Sequence, residues 1–307
     1  MRIENDEVCI FIPTLNEAPT IEELVTTFQR MGFHHIFVMD GNSTDGTPDI
    51  ARKAGATVRQ QSGKGKGNAI IEALEYIEQP YALMLDGDGT YAPADAEKML
   101  RPLFSGFDHV IGDRLENPGE GALTRLNLIG NRLLNLMFRL AHGRDLRDIL
   151  SGYRAFSLEA ARQMNLTESG FEIETEMAVE AVRNGQQIEV VPIQYLKRPG
   201  TETKLNPVQD GFRIFSTIYR LAKMNNPIFY FGIIGLFISI LGGITGVYVV
   251  YEWFQNIEHL PLTVLTMLLI TIGFQIFMFG VISDMILGFH REIMREMELL
   301  RPPKPPR

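Results

Sequence analysis

The sequence predicts an α/β domain with a mostly parallel sheet, followed by an amphipathic helix and a two-helix transmembrane hairpin. Three observations predict it. Between residues 8 and 85, apolar strand-like runs alternate four times with helical patterns, the order that yields parallel strands joined by right-handed crossovers. The last of these runs, residues 81–85, is apolar throughout and stops at Asp86-Gly87-Asp88-Gly89-Thr90, as a buried parallel strand does at its carboxyl end. Residues 227–251 and 260–283 contain no charged residue and are apolar on every face, and each is long enough to cross the roughly 30 Å hydrocarbon layer as a helix.

Residues 8–13 read as the first strand. Thr14-Leu15-Asn16-Glu17 follows, then a helix over 19–31, with Pro19 suited to its first turn and Glu22 and Glu23 near its positive end. The second strand, 35–39, ends at Asp40, and the loop Gly41-Asn42-Ser43-Thr44-Asp45-Gly46-Thr47 is full of helix caps and turn formers. A helix over 48–54, a strand over 57–60, the loop Gly63-Lys64-Gly65-Lys66-Gly67 and a helix over 68–77 lead to the strand that ends at Asp86. Open α/β sheets bind ligands at the carboxyl ends of their strands, so Asp40, Asp86 and Asp88 are expected on one functional edge.

Two carboxylates spaced i, i+2, with no Lys or Arg in the motif, repel unless a cation lies between them. A hard divalent ion resolves this, and such an ion usually arrives with a phosphate. The alternative is a plain capped turn. The Gly63–Gly67 loop can offer backbone N–H groups to a phosphate, with Lys64 and Lys66 supplying charge. It is not a P-loop, because no Ser or Thr follows the lysine at the required place. The first strand is not followed by G-x-G-x-x-G, which disfavours a dinucleotide.

Beyond this edge the sequence predicts a helix over 94–104, a strand over 109–112 ending in Asp113-Arg114, and a long helix over 123–142. That helix carries Arg125, Arg132 and Arg139 on one stripe beside a face of Leu, Ile, Met and Phe, which suits a membrane surface; an ordinary surface helix is the alternative. Residues 145–154 read as a tight polar turn. Glu172, Glu174 and Glu176 open a helix to 184, either as dipole partners or as site residues. A strand over 187–195 leads to a basic loop, 197–205, whose cations can close over a diphosphate. Residues 207–224 form an amphipathic helix that runs straight into the first span, and 301–307 is an extended Pro-rich tail. The expected divisions are 1–206, 207–226, 227–289 and 290–307.

The formal net charge is −8, with no long block of one sign, so a nucleic-acid partner is not expected. The single cysteine, Cys9, excludes internal disulfides and a Cys-rich zinc site. The N-terminus is polar and reads as having no signal peptide. Arg213, Arg220 and Lys223 precede the first span, Arg291, Arg295 and Arg301 follow the second, and the connector has no Lys or Arg. Both termini and the α/β domain are therefore expected on the cytoplasmic side of the cell membrane.

The motifs Ile12-Pro13-Thr14-Leu15-Asn16-Glu17, Asp40-Gly41-Asn42-Ser43-Thr44-Asp45-Gly46-Thr47, Gly65-Lys66-Gly67, Asp86-Gly87-Asp88-Gly89-Thr90, Gly112-Asp113-Arg114, Asp148-Ile149-Leu150-Ser151-Gly152-Tyr153-Arg154, Phe171-Glu172-Ile173-Glu174 and the segment 198–205 occur in this order. Together they resemble the family-2 glycosyltransferases of GT-A (Rossmann-like) fold, most of all the polyprenyl-phosphate sugar synthases, which include the dolichyl-phosphate mannose synthases and polyprenyl-phosphate glucosyltransferases. The resemblance covers roughly residues 8–205.

The resemblance implies that Pro13, Asn16 and Glu17 line a nucleotide pocket with Asp40 near the base and Lys66 beside the nucleotide. It implies that Asp86 and Asp88 hold Mg2+ or Mn2+ on the diphosphate, that Arg198 and Lys204 clamp that diphosphate, and that Arg114, Arg125, Asp148, Ser151 and Arg154 face the acceptor phosphate or the sugar. The implied partners are a nucleotide-sugar donor, a dolichyl or polyprenyl phosphate acceptor and membrane lipid. A homo-oligomer is left open. The mannose synthases often carry Asp-Asp at Asp40-Gly41 and Gln at Thr90; these departures favour a UDP-sugar over GDP-mannose, which stays as the alternative. The chain lacks the Gln-x-x-Arg-Trp motif of processive polysaccharide synthases. A sugar nucleotidyltransferase would place a basic Gly-rich loop after the first strand, where Thr14-Leu15-Asn16-Glu17 stands. A non-catalytic membrane adaptor is the remaining rival, opposed by the intact Asp86, Asp88 and Lys204.

Overall fold

The computed structural model describes residues 5–116, 118–119, 121–199 and 207–299. Lys204 and the 301–307 tail, both singled out by sequence, lie outside the described residues. The chain forms two compact units, Met1–Ile218 and Tyr219–Arg307.

The first unit is built on a seven-stranded sheet of order β3-β2-β1-β4-β6-β5-β7. Strand β1 (Val8–Thr14) is buried along its whole length. It pairs in parallel with β2 (His35–Asp40) on one side and with β4 (Tyr81–Met84) on the other, and β2 pairs in parallel with β3 (Thr57–Gln60). Because side chains alternate across a strand, Val8, Ile10 and Ile12 enter one core while Cys9 and Phe11 enter the other. Burial pushes the Cys9 thiol up to about 12, so it is packing and not a nucleophile. Helices α1 (Ala18–Arg30), α2 (Thr47–Lys53) and α3 (Lys66–Tyr76) make the crossovers, as the alternating pattern requires.

Past β4 the sequence reading needs correction. The expected helix over 94–104 is broken into α4 (Ala96–Leu100) between two 3-10 turns, Pro93–Asp95 and Leu103–Ser105. Pro102, with no N–H to give, stands where the helix would have continued. The polar turn over 145–154 ends at Arg154, and Arg154 begins a strand the pattern did not reveal, β6 (Arg154–Ser157), followed by α6 (Leu158–Arg162). Strand β6 runs antiparallel to both β4 and β5 (His109–Asp113). It holds four residues and opens on a charge, so it gives no apolar run. Strand β7 (Ile188–Pro192) is shorter than expected and pairs in parallel with β5. Tyr195 then makes separate bridges to Tyr91 and Pro118.

Helix α5 (Arg125–His142) starts at a Thr124 cap, whose hydroxyl accepts from the Asn127 N–H. Its Asn row faces the chain: Asn135 Oδ1 accepts from the Ile149 N–H at 2.9 Å. Its leucines face out, with Leu126, Leu133 and Leu140 more than half exposed. Helix α7 (Ile173–Arg183) is almost entirely buried, and α8 (Pro207–Asn225) follows the 197–205 segment.

The second unit is a pair of helices, α9 (Pro227–Phe254) and α10 (Leu260–Leu299). α9 and the stretch Leu260–Phe289 are long and apolar enough to cross a membrane. They expose Leu236, Phe237, Val247 and Phe274 to a degree that water does not tolerate over so large a patch, and this marks a membrane-anchored chain. Small residues let the two backbones meet: a Cβ added at Gly235 would lie 2.6 Å from the Gly273 carbonyl oxygen. Thr266 donates to Thr245 across the pair at 3.0 Å.

Candidate functional site

The register aligns Thr14 with Asp40, which places the carboxyl ends of β1 and β2 side by side. Asp40 is fully buried. Its Oδ1 accepts from Ser43 Oγ at 2.6 Å and Thr14 Oγ1 at 3.2 Å, and its Oδ2 accepts from the Ser43 N–H at 2.9 Å. Pro13 is buried in β1. Asn16 takes a left-handed conformation, φ 53°, that asparagine tolerates. Its N–H donates to Ser43 Oγ and its Oδ1 accepts from the Thr44 N–H, both at 2.8 Å. The two loops are thus tied into one wall, with Glu17 buried behind it.

Asp86 and Asp88 lie just past β4, and each already has a cation supplied by the chain. Lys66 Nζ contacts Asp86 Oδ1 and lies 2.5 Å from Glu174 Oε1. Burial alone would lower the Lys66 pKa; the Asp86 and Glu174 carboxylates outweigh it and hold the ammonium charged. Arg198 pairs with Asp88 Oδ2, with its Nε donating at 3.0 Å, and lies 3.8 Å from Glu17 Oε1. Asp88 Oδ1 accepts from the Thr90 hydroxyl at 2.6 Å and the Thr90 N–H at 3.0 Å. Burial would raise the Asp88 carboxyl, but the Thr90 hydroxyl and the Arg198 charge hold it below the usual carboxylate range. The motif itself holds no Lys or Arg, and the fold brings the cations from afar: Lys66 and Arg198 come from 20 residues before and 110 residues after their partners.

Two of the amides that the Gly63–Gly67 loop was expected to offer are taken by the protein itself. The Gly67 N–H donates to the Ser169 carbonyl at 2.9 Å, and Glu72 takes the Gly63 N–H at 3.3 Å. The glycines serve close approach instead. A Cβ at Gly67 would lie 2.0 Å from the Glu168 carbonyl oxygen, and Gly65 holds φ +95° against Ser169. Lys64 is exposed. Lys66 is the part of the loop that reaches the site.

On the other side, Arg114 and Asp148 form a bidentate pair. Arg114 Nε donates to Oδ2 at 2.7 Å and Nη2 to Oδ1 at 2.8 Å, while the Arg114 N–H also donates to Oδ2 at 3.1 Å. Burial would lower the Arg114 pKa, and the Asp148 charge holds it well above its ordinary value. The Arg114 guanidinium carbon lies 5.3 Å from the centre of the Tyr195 ring. Burial raises the neighbouring Asp113 carboxyl.

One expected acceptor residue is turned away from any ligand. Arg154 is fully buried: Nε donates to the Ser151 carbonyl at 2.9 Å, Nη2 to the Ile149 carbonyl at 2.7 Å, and Nη1 lies 3.3 Å from His109 Nε2. Burial pushes its guanidinium down to about 10, still charged at neutral pH, and burial with the Arg154 charge keeps His109 neutral. This corrects the expectation that Arg154 faces a ligand: it shapes the 148–152 turn from beneath. Arg125 stands exposed at the first position of α5, with no ion pair among the described residues. Ser151 is buried, and its Oγ accepts from the Tyr153 N–H at 3.3 Å.

Two site residues were missed or left unresolved by sequence. Tyr91 is buried, and its hydroxyl accepts from the Gly152 N–H at 2.8 Å. Glu174 was left open between a dipole partner and a site residue, and its contact with Lys66 places it at the site. Gly152 in turn closes over the Asp86–Lys66 contact: a Cβ there would lie 2.7 Å from Asp86 Oδ2 and 3.0 Å from Lys66 Nζ. Gly152→Ala is therefore expected to lower activity about a hundredfold by displacing these side chains. The methyl meets flexible ends rather than backbone, so stability should change by less than about 1 kcal/mol. Parallel activity and melting measurements on the purified chain check both halves.

Residues 9–164 match the model of glycosyl transferase family 2. The chain belongs to this family. It is 52% identical over 298 residues to glycosyltransferase AglJ of Haloferax volcanii, covering 96% of this chain and 98% of that one. It is 32% identical to the dolichyl-phosphate hexose transferase of the same organism, over 70% of this chain and 94% of the relative. Among solved structures it resembles glucosyl-3-phosphoglycerate synthase from Mycobacterium tuberculosis in complex with Mn2+ and UDP-glucose. The TM-score is 0.57 at 21% identity, covering 70% of this chain and 78% of the other, and this likeness supports the fold. The family member described here is thus a glycosyltransferase of the polyprenyl-phosphate sugar transferase type, with a GT-A-like mixed sheet.

Proposed function

We propose that this glycosyltransferase moves a hexose, with inversion, from a nucleotide-sugar to dolichyl or polyprenyl phosphate at the cytoplasmic face of the membrane, and that a UDP-sugar is the preferred donor. The observation that carries the reading is the pairing of Asp86 with Lys66 and of Asp88 with Arg198 at one sheet edge. Asp86 and Asp88 would hold a metal–diphosphate through its metal, and Arg198, released from Asp88, would take phosphate oxygens. Among the described residues no cluster of three or more His, Cys, Asp or Glu could hold an ion alone. Two aspartates fit an Mg2+ or Mn2+ that draws its remaining ligands from substrate phosphates and water. Such an ion, when bound, offsets charge building on the departing nucleotide.

The chain's own residues do the rest. Asp40, Asn16 and Pro13 form the wall proposed for the nucleoside. Asp148 fixes two of Arg114's guanidinium nitrogens, and Nη1 has no partner among the described residues, which leaves it to meet an acceptor phosphate. A phosphate monoester is largely dianionic at neutral pH, so it needs positioning more than deprotonation. The outward leucines of α5, beside Arg132 and Arg139, support lipid as the neighbour of that helix.

The test is transfer itself. Membranes containing the chain, given dolichyl phosphate and a panel of labelled nucleotide-sugars, should yield a mild-acid-labile labelled lipid, and EDTA should stop its formation. If no donor labels the lipid while the chain still binds nucleotide, the acceptor assignment is wrong.

A further inference from the structure

Glu174 has no part in the transfer proposed above, yet its side chain is only 4% exposed and its Oε1 lies 2.5 Å from Lys66 Nζ, which also contacts Asp86 Oδ1. We propose that Glu174 is a positioning residue for cation binding at Asp86: it keeps Lys66 paired when a divalent ion displaces the ammonium from that carboxylate. The inference rests on the metal-binding part of the reading above.

Lys66 sits between two carboxylates, so this group carries one net negative charge. A divalent ion on Asp86 and an ammonium touching the same carboxylate repel each other, so one must leave. Were Asp86 the only partner of Lys66, its loss would strand a nearly buried ammonium without a counter-charge. Glu174 prevents this, because Lys66 can give up Asp86 and stay ion-paired.

The fold is built to hold this arrangement. Lys66 is the first residue of α3, and Glu174 lies in the first turn of α7. The two helix starts are brought together by the contact of Gly65 and Gly67 with the backbone of residues 168–170, an approach that any side chain at either glycine would block. The Gly67 N–H to Ser169 carbonyl bond fastens it. Gly152 leaves the room that Asp86 and Lys66 occupy. Neighbouring Glu176 does something different: its carboxylate accepts from the Thr167 and Glu168 N–H groups at 2.9 and 2.8 Å and holds the loop.

The test is Mn2+ binding to the full-length chain in detergent with UDP present, read from the electron paramagnetic resonance signal of free Mn2+. Glu174→Gln should raise the apparent Kd about tenfold or more, because Lys66 then clings to Asp86 alone. The double variant Lys66→Met with Glu174→Gln should return to within about threefold of wild type, since no ammonium remains to strand. A merely structural role for Glu174 would not produce that recovery. Unchanged affinity in Glu174→Gln, or a double variant no better than the single, overturns the proposal. If Glu174→Gln does not fold, Glu174→Asp carries the test: its shorter side chain withdraws the carboxylate from Lys66 and should raise the Kd at least about threefold. Wild type that binds no Mn2+ removes the metal reading and this inference with it. Wild type that binds while the Glu174 variants are indifferent removes this inference alone.

Discussion

Asp88→Asn is expected to lower sugar transfer to the lipid phosphate about a thousandfold, the scale of losing several kcal/mol of charge stabilisation at the leaving diphosphate. The substitution is nearly isosteric. The Thr90 hydroxyl and N–H now bond Asp88 Oδ1 at 2.6 and 3.0 Å, and the asparagine carbonyl oxygen can still accept from them, so the loop keeps its shape. What it loses is the charge that faces Arg198 and that the proposed metal requires. Asp88→Ala should be as inactive and somewhat less stable, because it also removes the Thr90 acceptor. Both variants should remain in the membrane fraction, because α9 and α10 belong to a separate compact unit. The check is labelled-lipid formation alongside membrane fractionation. Transfer within about tenfold of wild type would remove Asp88 from the reaction.

The residues that made this site readable in sequence are those whose role depends on strand ends. Asp40, Asp86 and Asp88 each follow an apolar run, and a run of buried strand residues locates its own carboxyl end. The glycines around Lys66 were visible too, but their purpose was misread. Glycine marks both an exposed amide nest and a close backbone approach, and only the position of residues 168–170 decides between them. Strand β6 was hidden for another reason. It is central in the sheet, flanked by β4 and β5, yet short enough that its burial leaves no periodic trace. Missing it also hid the setting of Arg154, which the family resemblance had facing the acceptor phosphate or the sugar. Its guanidinium is instead spent on two carbonyls and His109. Ion pairs across long separations, Asp88 with Arg198 and Arg114 with Asp148, are set by topology and leave no local signal. In the hairpin, by contrast, length and the absence of charge were sufficient, because lipid makes a single demand on every face of a helix.

Asp148→Ala should destabilise the α/β unit by about 3–5 kcal/mol, the usual result of leaving one member of a buried ion pair alone. Asp148 is fully buried, and its carboxylate accepts three hydrogen bonds from Arg114, at 2.7, 2.8 and 3.1 Å. Its removal strands the guanidinium and a backbone N–H together. Replacing both partners, Arg114→Met with Asp148→Leu, should recover much of that loss, because no guanidinium is then stranded and only the backbone N–H of residue 114 stays unmet. Activity should not recover with it. If Arg114 Nη1 meets the acceptor phosphate, the repaired chain folds, binds nucleotide and fails to label the lipid. Thermal melting of the full chain in detergent, paired with the transfer assay, separates the two roles. A double variant that regains both stability and transfer would show that the pair only braces the fold. One that regains stability alone assigns Arg114 to the acceptor and makes Asp148 the residue that aims it.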